Sequence, residues 1–347
     1  MIRSLTSFRF VFALMVFLSH TSFVTQEGSW FLDYKVWLKQ GFIGVNFFFI
    51  LSGFILSYNY YDKFSTLHYP SIVRFYWKRF LKIYPSTWVM LLLSFYFAQE
   101  LWTNRNYISI LLSNFLLVQA WVPNNGYQWF LNPPAWSLSV EIFFYFLFPF
   151  LIASLHKVKW TTGIIIVLGF ILVQGVAIWF LDDPSIAKFW FYLFPLSNLA
   201  LFLCGIGLYI MYKGIPLHHS IMRGTALEIV AIFVVIGCVA WHQQVPENFR
   251  FVIYYLPSAA ALIFVFSFEQ GMISKFLGNR VFVYLGNISF QFYLLHFLAI
   301  WFWCKVDYLY IQGLSQNLIV LLSFSSTLIG AVIMYHAIEL PAQKMKR

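Results

Sequence analysis

Charge is the scarcest property of this chain: Asp, Glu, Lys and Arg make up only 10% of its 347 residues, against about 25% in ordinary soluble domains. A soluble enzyme is excluded on that ground, and nothing marks a nucleic-acid partner. Cysteine is nearly missing too. Cys204, Cys238 and Cys304 lie scattered in apolar segments, at no metal-ligand spacing, so they indicate neither a disulfide framework nor a redox or metal site. Nor is a cleavable signal expected. The first apolar run begins near Phe8 without a small-residue cleavage site and is expected to stay as a span. Amphipathic periodicity is absent from stretches such as TTGIIIVLGFILVQGVAIWFL, which show no polar face to turn towards water.

What fills the space is apolar: 61% of the residues are hydrophobic and 22% aromatic. Long apolar runs recur along the whole length, the signature of transmembrane helices. Eleven stretches stand out, at 8–25, 41–60, 85–101, 107–121, 135–155, 161–181, 190–212, 225–242, 251–268, 281–304 and 317–338. The fourth is short and carries Ser113, Asn114 and Gln119, whereas a span needs about 20 apolar residues; it reads as re-entrant or interfacial. With ten spans and a cytoplasmic N-terminus, sixteen of the 22 Lys and Arg fall inside. Lys35, Lys39, Arg105, Lys188, Arg250 and Lys305 fall outside. That asymmetry follows the positive-inside rule and puts both termini in the cytoplasm. The expectation is an all-α, polytopic membrane helix bundle, one domain over 1–347, in a cell membrane, with no long soluble tail.

The polar residues inside these runs are functional candidates by default. In RFVFALMVFLSH, Arg9 and His20 are eleven residues apart, which is three helical turns plus about 20°. They share one face at about 16 Å separation along the axis. Glu141 enters its span from outside to a depth similar to that of His20, and His296 lies slightly deeper. A histidine with a carboxylate suits general-base work; arginine and lysine at the inner mouth, Arg79 and Lys82 included, suit phosphates. Each has a plainer reading. Arg9 anchors the helix end, His20 and His296 bond between helices, Ser52-Gly53 is a small-residue packing site, and Arg79 with Lys82 belongs to a basic loop. Glu228 and His242 read as incidental span-end residues, and Glu339 as a helix-end feature.

Taken in order, these blocks resemble the acyltransferase-3 family of integral membrane acyltransferases. Arg9 and His20 match its arginine and histidine of the first span, separated by ten residues. GVNFFFILSGFIL, RFLKIYP, AWSLSVEIFFYFLFP and ISFQFYLLHF match four later blocks, and Glu339-x-Pro341 the last. Asn46 stands where aspartate is usual, Lys82 for a second arginine, and Ile142 for a second glutamate. The resemblance implies transfer of an acyl group, commonly acetyl, from cytoplasmic acyl-CoA to a sugar hydroxyl of a surface or lipid-linked glycan, without a metal. It implies His20 as general base with Glu141 supporting it, and Arg9, Arg79 and Lys82 on the coenzyme A phosphates or pantetheine arm. Asn46, Ser52 and His296 become candidate donors to an oxyanion. No fused hydrolase-like domain is expected. Two rivals use the same residues: a proton-coupled secondary transporter, with His and Glu as a relay, and a flippase or assembly subunit without chemistry. The acceptor, the acyl group and the oligomeric state are not readable from the residues.

Overall fold

In hydrocarbon every backbone N–H and C=O must find its partner within the protein, and a helix does this segment by segment. The computed structural model describes residues 2–21, 24, 40–97, 104–157, 160–180, 183–215 and 220–345. Among these the chain is all-α and forms no strand. The principal helices are α1 (Arg3–His20), α2 (Ile43–Tyr60), α3 (Tyr69–Phe97), α4 (Tyr107–Phe115), α5 (Asn125–Trp129), α6 (Trp136–Leu155) and α7 (Trp160–Trp179). After a π-helical turn at Lys188–Leu193 come α8 (Leu199–Gly214), α9 (Ile221–Trp241), α10 (Leu256–Ser267), α11 (Met272–Leu277), α12 (Arg280–Val306) and α13 (Gln316–Met334). A second π turn, Tyr335–Glu339, leads into α14 (Leu340–Lys344).

Among the described residues five stretches are long and apolar enough to cross a membrane: Ile43–Tyr60, Pro133–Leu155, Ile221–Gln244, Arg280–Ile311 and Gln316–Lys344. Helix α4 has nine residues, about 13 Å, too short to cross. The basic segment expected to connect spans is itself helical: α3 runs unbroken from Tyr69 through Pro85 to Phe97. The expected span 190–212 is not one helix. Pro195 lies in the break between Leu193 and Leu199, where it has no N–H to continue a ladder. The carbonyls freed there are taken up by side-chain amides: Gln174 Nε2 donates to Ser197 O at 2.6 Å, and Asn198 Nδ2 to Tyr192 O and Phe194 O at 2.8 and 3.1 Å. The ends of the expected spans 8–25 and 85–101, and the orienting residues Lys35, Lys39, Lys159, Lys346 and Arg347, lie outside the described residues.

The helices group into two compact units. The first comprises Met1–Arg9, Ile43–Tyr76 and Val140–Tyr284. Its tightest crossing is α2 on α8. A Cβ added at Gly53 would overlap the Phe202 carbonyl oxygen, and one at Gly205 that of Ile50, so each helix takes the other's backbone directly against its own. Phe144 stacks on Phe202 at 4.5 Å beside this crossing. Glu228 of α9, 1% exposed, receives Gly271 N–H at 2.9 Å, Ile273 N–H at 3.0 Å, Ser274 N–H at 3.2 Å and the Ser274 hydroxyl at 2.5 Å. It pairs the first N–H groups of α11, which the helix itself leaves open. Glu228→Gln turns an acceptor into a donor among those N–H groups. The expected cost is about 2–4 kcal/mol, read as a lower thermal midpoint of the full chain in detergent. An unchanged midpoint would refute the cap.

The second unit comprises Phe10–Phe42, Trp77–Ser139 and Leu285–Arg347. In it the later part of α1 packs through Phe10 and Phe17 on Phe292 of α12, at ring-centroid distances of 5.3 and 5.8 Å, and Phe17 also meets Phe324 of α13. The segment between α4 and α6 is braced by buried amides. Asn114 Nδ2 donates to Tyr127 O at 3.0 Å, Gln128 Nε2 to Gln119 O at 3.1 Å, and Gln119 Nε2 to Ala135 O at 2.9 Å.

Candidate active site

The Phe10–Phe17 face of α1 brings its last residue, His20, against α12 in the second unit. His20 is half-buried and His296 fully buried. His20 Nδ1 lies 3.0 Å from Val16 O and 3.1 Å from His296 Nε2; His296 Nδ1 lies 2.6 Å from Tyr293 O. The two rings are 5.1 Å apart at 40°. Phe297 presents its edge to His20, and Phe17 its edge to His296. Tyr293 is held from its other end, because its hydroxyl meets Pro134 O at 3.0 Å and Ser137 Oγ at 2.9 Å. Asn132 Nδ2 donates to Leu294 O at 3.2 Å one residue further on. Helix α12 is thus pinned to the turn before α6 within one helical turn of His296.

A second polar group in the same unit surrounds Glu339, which is 1% exposed. Its carboxylate pairs with Lys82 and accepts Gln291 Nε2 at 2.8 Å and Gln343 Nε2 at 2.6 Å. Gln291 Nε2 is also 2.8 Å from Ser86 Oγ. The π turn at Tyr335–Glu339 delivers Glu339 to this place. Lys82, expected to meet an anionic ligand, therefore has its charge balanced within the fold. Glu339→Ala strands the Lys82 ammonium among buried groups. Its expected cost is about 3–5 kcal/mol, with much of the loss recovered in Lys82→Met/Glu339→Ala; additive losses in a double-mutant cycle of thermal stability would contradict the pairing.

The remaining candidates are placed as follows. Arg9 and Arg79 are half-buried on α1 and α3. Glu141, in the first unit, accepts a hydrogen bond from the Tyr145 hydroxyl one turn along α6. Asn46 is wholly buried and donates through Nδ2 to Phe251 O at 2.9 Å. Ser52 is half-buried on α2 beside Gly53. The structure brings together His20 with His296, Lys82 with Glu339, and Glu141 with Tyr145. Sequence reasoning named both histidines but did not pair them, although their similar depths were a usable signal. It dismissed Glu228 and Glu339 as end features, although a carboxylate inside an apolar run always needs donors.

Comparison with known proteins adds the chemistry. A family model described as an acyltransferase domain matches residues 2–336. The acyltransferase MdmB of Streptomyces mycarofaciens is 30% identical over 321 residues, covering 86% of this chain and 78% of that protein. The O-acetyltransferase OatA of Staphylococcus aureus (strain NCTC 8325 / PS 47) is 24% identical over 339 residues, covering 89% of this chain but only 53% of OatA. No solved structure matches the chain.

Proposed function

Since the chain belongs to the acyltransferase-3 family of multi-pass membrane acyltransferases, we propose that it moves an acyl group from cytoplasmic acyl-CoA to a hydroxyl of a glycan. Acetyl is the group favoured, because a relative that the chain matches over 89% of its own length is named an O-acetyltransferase. The acceptor is a sugar of a surface or lipid-linked glycan. In this reading residues 1–347 act as one membrane domain of about ten spans with both termini in the cytoplasm.

The observation that carries the reading is His20, a half-buried histidine at the end of an apolar helix whose ring lies against the buried His296. Its imidazole is the proposed general base. It takes the proton of the acceptor hydroxyl as that oxygen attacks the acyl carbonyl; the carbon–sulfur bond then breaks, and the thiolate leaves with the proton. Glu141 is proposed to support His20, orienting its ring or stabilising its charged form. Arg9 and Arg79 suit the phosphates of the donor, since guanidinium groups bind phosphate oxygens in pairs; Lys82 contributes less because Glu339 balances it. Asn46 and Ser52 remain candidate donors to the developing oxyanion. A proton-coupled transporter draws no support from the named relatives.

The test is turnover of acetyl-CoA by the purified full chain with a glycan acceptor, together with mass analysis of surface glycans from cells with and without the protein. A mass increment of one acetyl group on the glycan, dependent on the protein, is expected. Substrate accumulation in vesicles under a proton gradient without acyl-CoA would instead establish transport.

A further inference from the structure

We infer that the end of α7 carries a groove for the hydrocarbon chain of a lipid-linked glycan, with Arg250 meeting the phosphate that joins chain to sugar. This rests on the acyl transfer proposed above and names the class of acceptor, a glycan presented on a lipid rather than free in solution. The groove has a volume of about 450 Å³, within the range of about 300–1,000 Å³ typical of clefts that hold small ligands. Gly175, Val176, Trp179 and Phe180 form one wall and Phe249 and Ile253 the other, and every lining residue is apolar. The walls are fixed from behind: Phe249 and Ile253 pack on the buried Ile178, Ala187 and Phe191. Trp179 meets Phe249 edge to face at a ring-centroid distance of 6.4 Å. Gly175 makes the recess. A Cβ there would stand in ordinary contact with Ile253 Cδ1, at 3.6 Å, so a longer side chain at 175 would fill the space between the walls.

Bulk membrane hydrocarbon would cover a smooth apolar face equally well, and two observations select a chain that bears a phosphate. The first is Arg250, next to Phe249 and three residues before Ile253 in the chain. Its Nε is buried without a hydrogen-bond partner, and among the described residues no carboxylate forms an ion pair with it. A buried guanidinium N–H without an acceptor is costly. A phosphate oxygen supplies that acceptor in the geometry a guanidinium prefers. The second is the side of the membrane. In the proposed topology Trp179, Phe180 and Phe249 lie towards the outside, where Arg250 is one of six Lys and Arg among 22. A cation kept on the disfavoured side and beside an apolar recess matches a ligand with an anionic head and a hydrocarbon tail.

The probe is glucose joined through a phosphodiester to a hexadecyl chain, offered to the purified full chain in detergent and read by native mass spectrometry. Binding is expected to persist in excess diacyl phosphatidylglycerol. Gly175→Leu, which fills the recess, and Arg250→Gln, which removes the charge, are each expected to weaken it roughly 10–100-fold. Gly175→Ala, whose methyl only reaches ordinary contact with Ile253, is expected to bind as the wild type does. Displacement of the probe by phosphatidylglycerol marks a site for ordinary membrane lipid and overturns the inference. So does wild-type binding by Gly175→Leu or by Arg250→Gln, or a loss in Gly175→Ala equal to that in Gly175→Leu. Should Gly175→Leu fail to fold, Arg250→Gln and the competition decide. A chain that acylates a soluble glycan but does not bind the probe refutes this inference alone. One that binds the probe and transfers no acyl group refutes the functional reading alone, so the two failures are distinguishable.

Discussion

His20→Ala is expected to remove acyl transfer, lowering kcat by roughly 10³-fold or more, in a protein that still purifies as a folded, monodisperse species. The physical basis is local. His20 closes α1, and its ring meets Val16 O, His296 and the edge of Phe297. The packing of α1 is carried by Phe10 and Phe17, which the substitution leaves untouched. Binding of acyl-CoA should survive, because the groups proposed for its phosphates lie elsewhere. The measurement is paired: acyl-CoA affinity by equilibrium binding, and product by mass analysis. Full transfer by His20→Ala would end the general-base assignment, and loss of binding together with transfer would point to a collapsed site.

Gly53→Ala and Gly205→Ala are expected to be as damaging for the opposite reason, with no chemistry involved. An added methyl at either position overlaps a backbone oxygen of the facing helix, Phe202 O or Ile50 O. Backbone cannot rotate away as a side-chain tip can, so α2 and α8 must separate and lose their contact. The expected cost is upwards of about 3 kcal/mol, seen as low yield of folded protein and a depressed thermal midpoint. Gly207→Ala is the internal control. It lies on the same helix as Gly205 with nothing within 4 Å of the added carbon, and alanine there should be neutral or helix-stabilising by up to about 1 kcal/mol. Equal behaviour of Gly205→Ala and Gly207→Ala would remove the close crossing from the account.

These two experiments divide what the residues alone could and could not disclose. The all-helical class was legible because long apolar runs without a polar face have few ways to satisfy their backbone in lipid. The shared face of Arg9 and His20 was legible because it depends on helical spacing within one segment. The pairing of His20 with His296 was not. Depth along a span is set by position in the sequence, but the rotation of one helix about its axis relative to another is set by packing, and Glu141 and His296 were close to equal in depth. The same gap hid the purpose of Gly53. In a block that also holds Ser52, sequence spacing cannot tell a reacting residue from one that admits a neighbouring backbone; the position of Phe202 O can. Pro195 is a different case. Its signal was present in the residues, and a run of apolar character across 190–212 outweighed it until the break at 194–198 appeared with Gln174 and Asn198 supplying the missing donors.

The nine residues of α4 decide more than their own placement. Each crossing of a bilayer exchanges the two sides for everything that follows, so topology is a matter of parity. A segment of about 13 Å is too short to make that exchange, so in the proposed topology His296, Glu339 and the basic C-terminal end keep the sides they would have had without it. Lengthening that helix by three turns of leucine would invert them all at once.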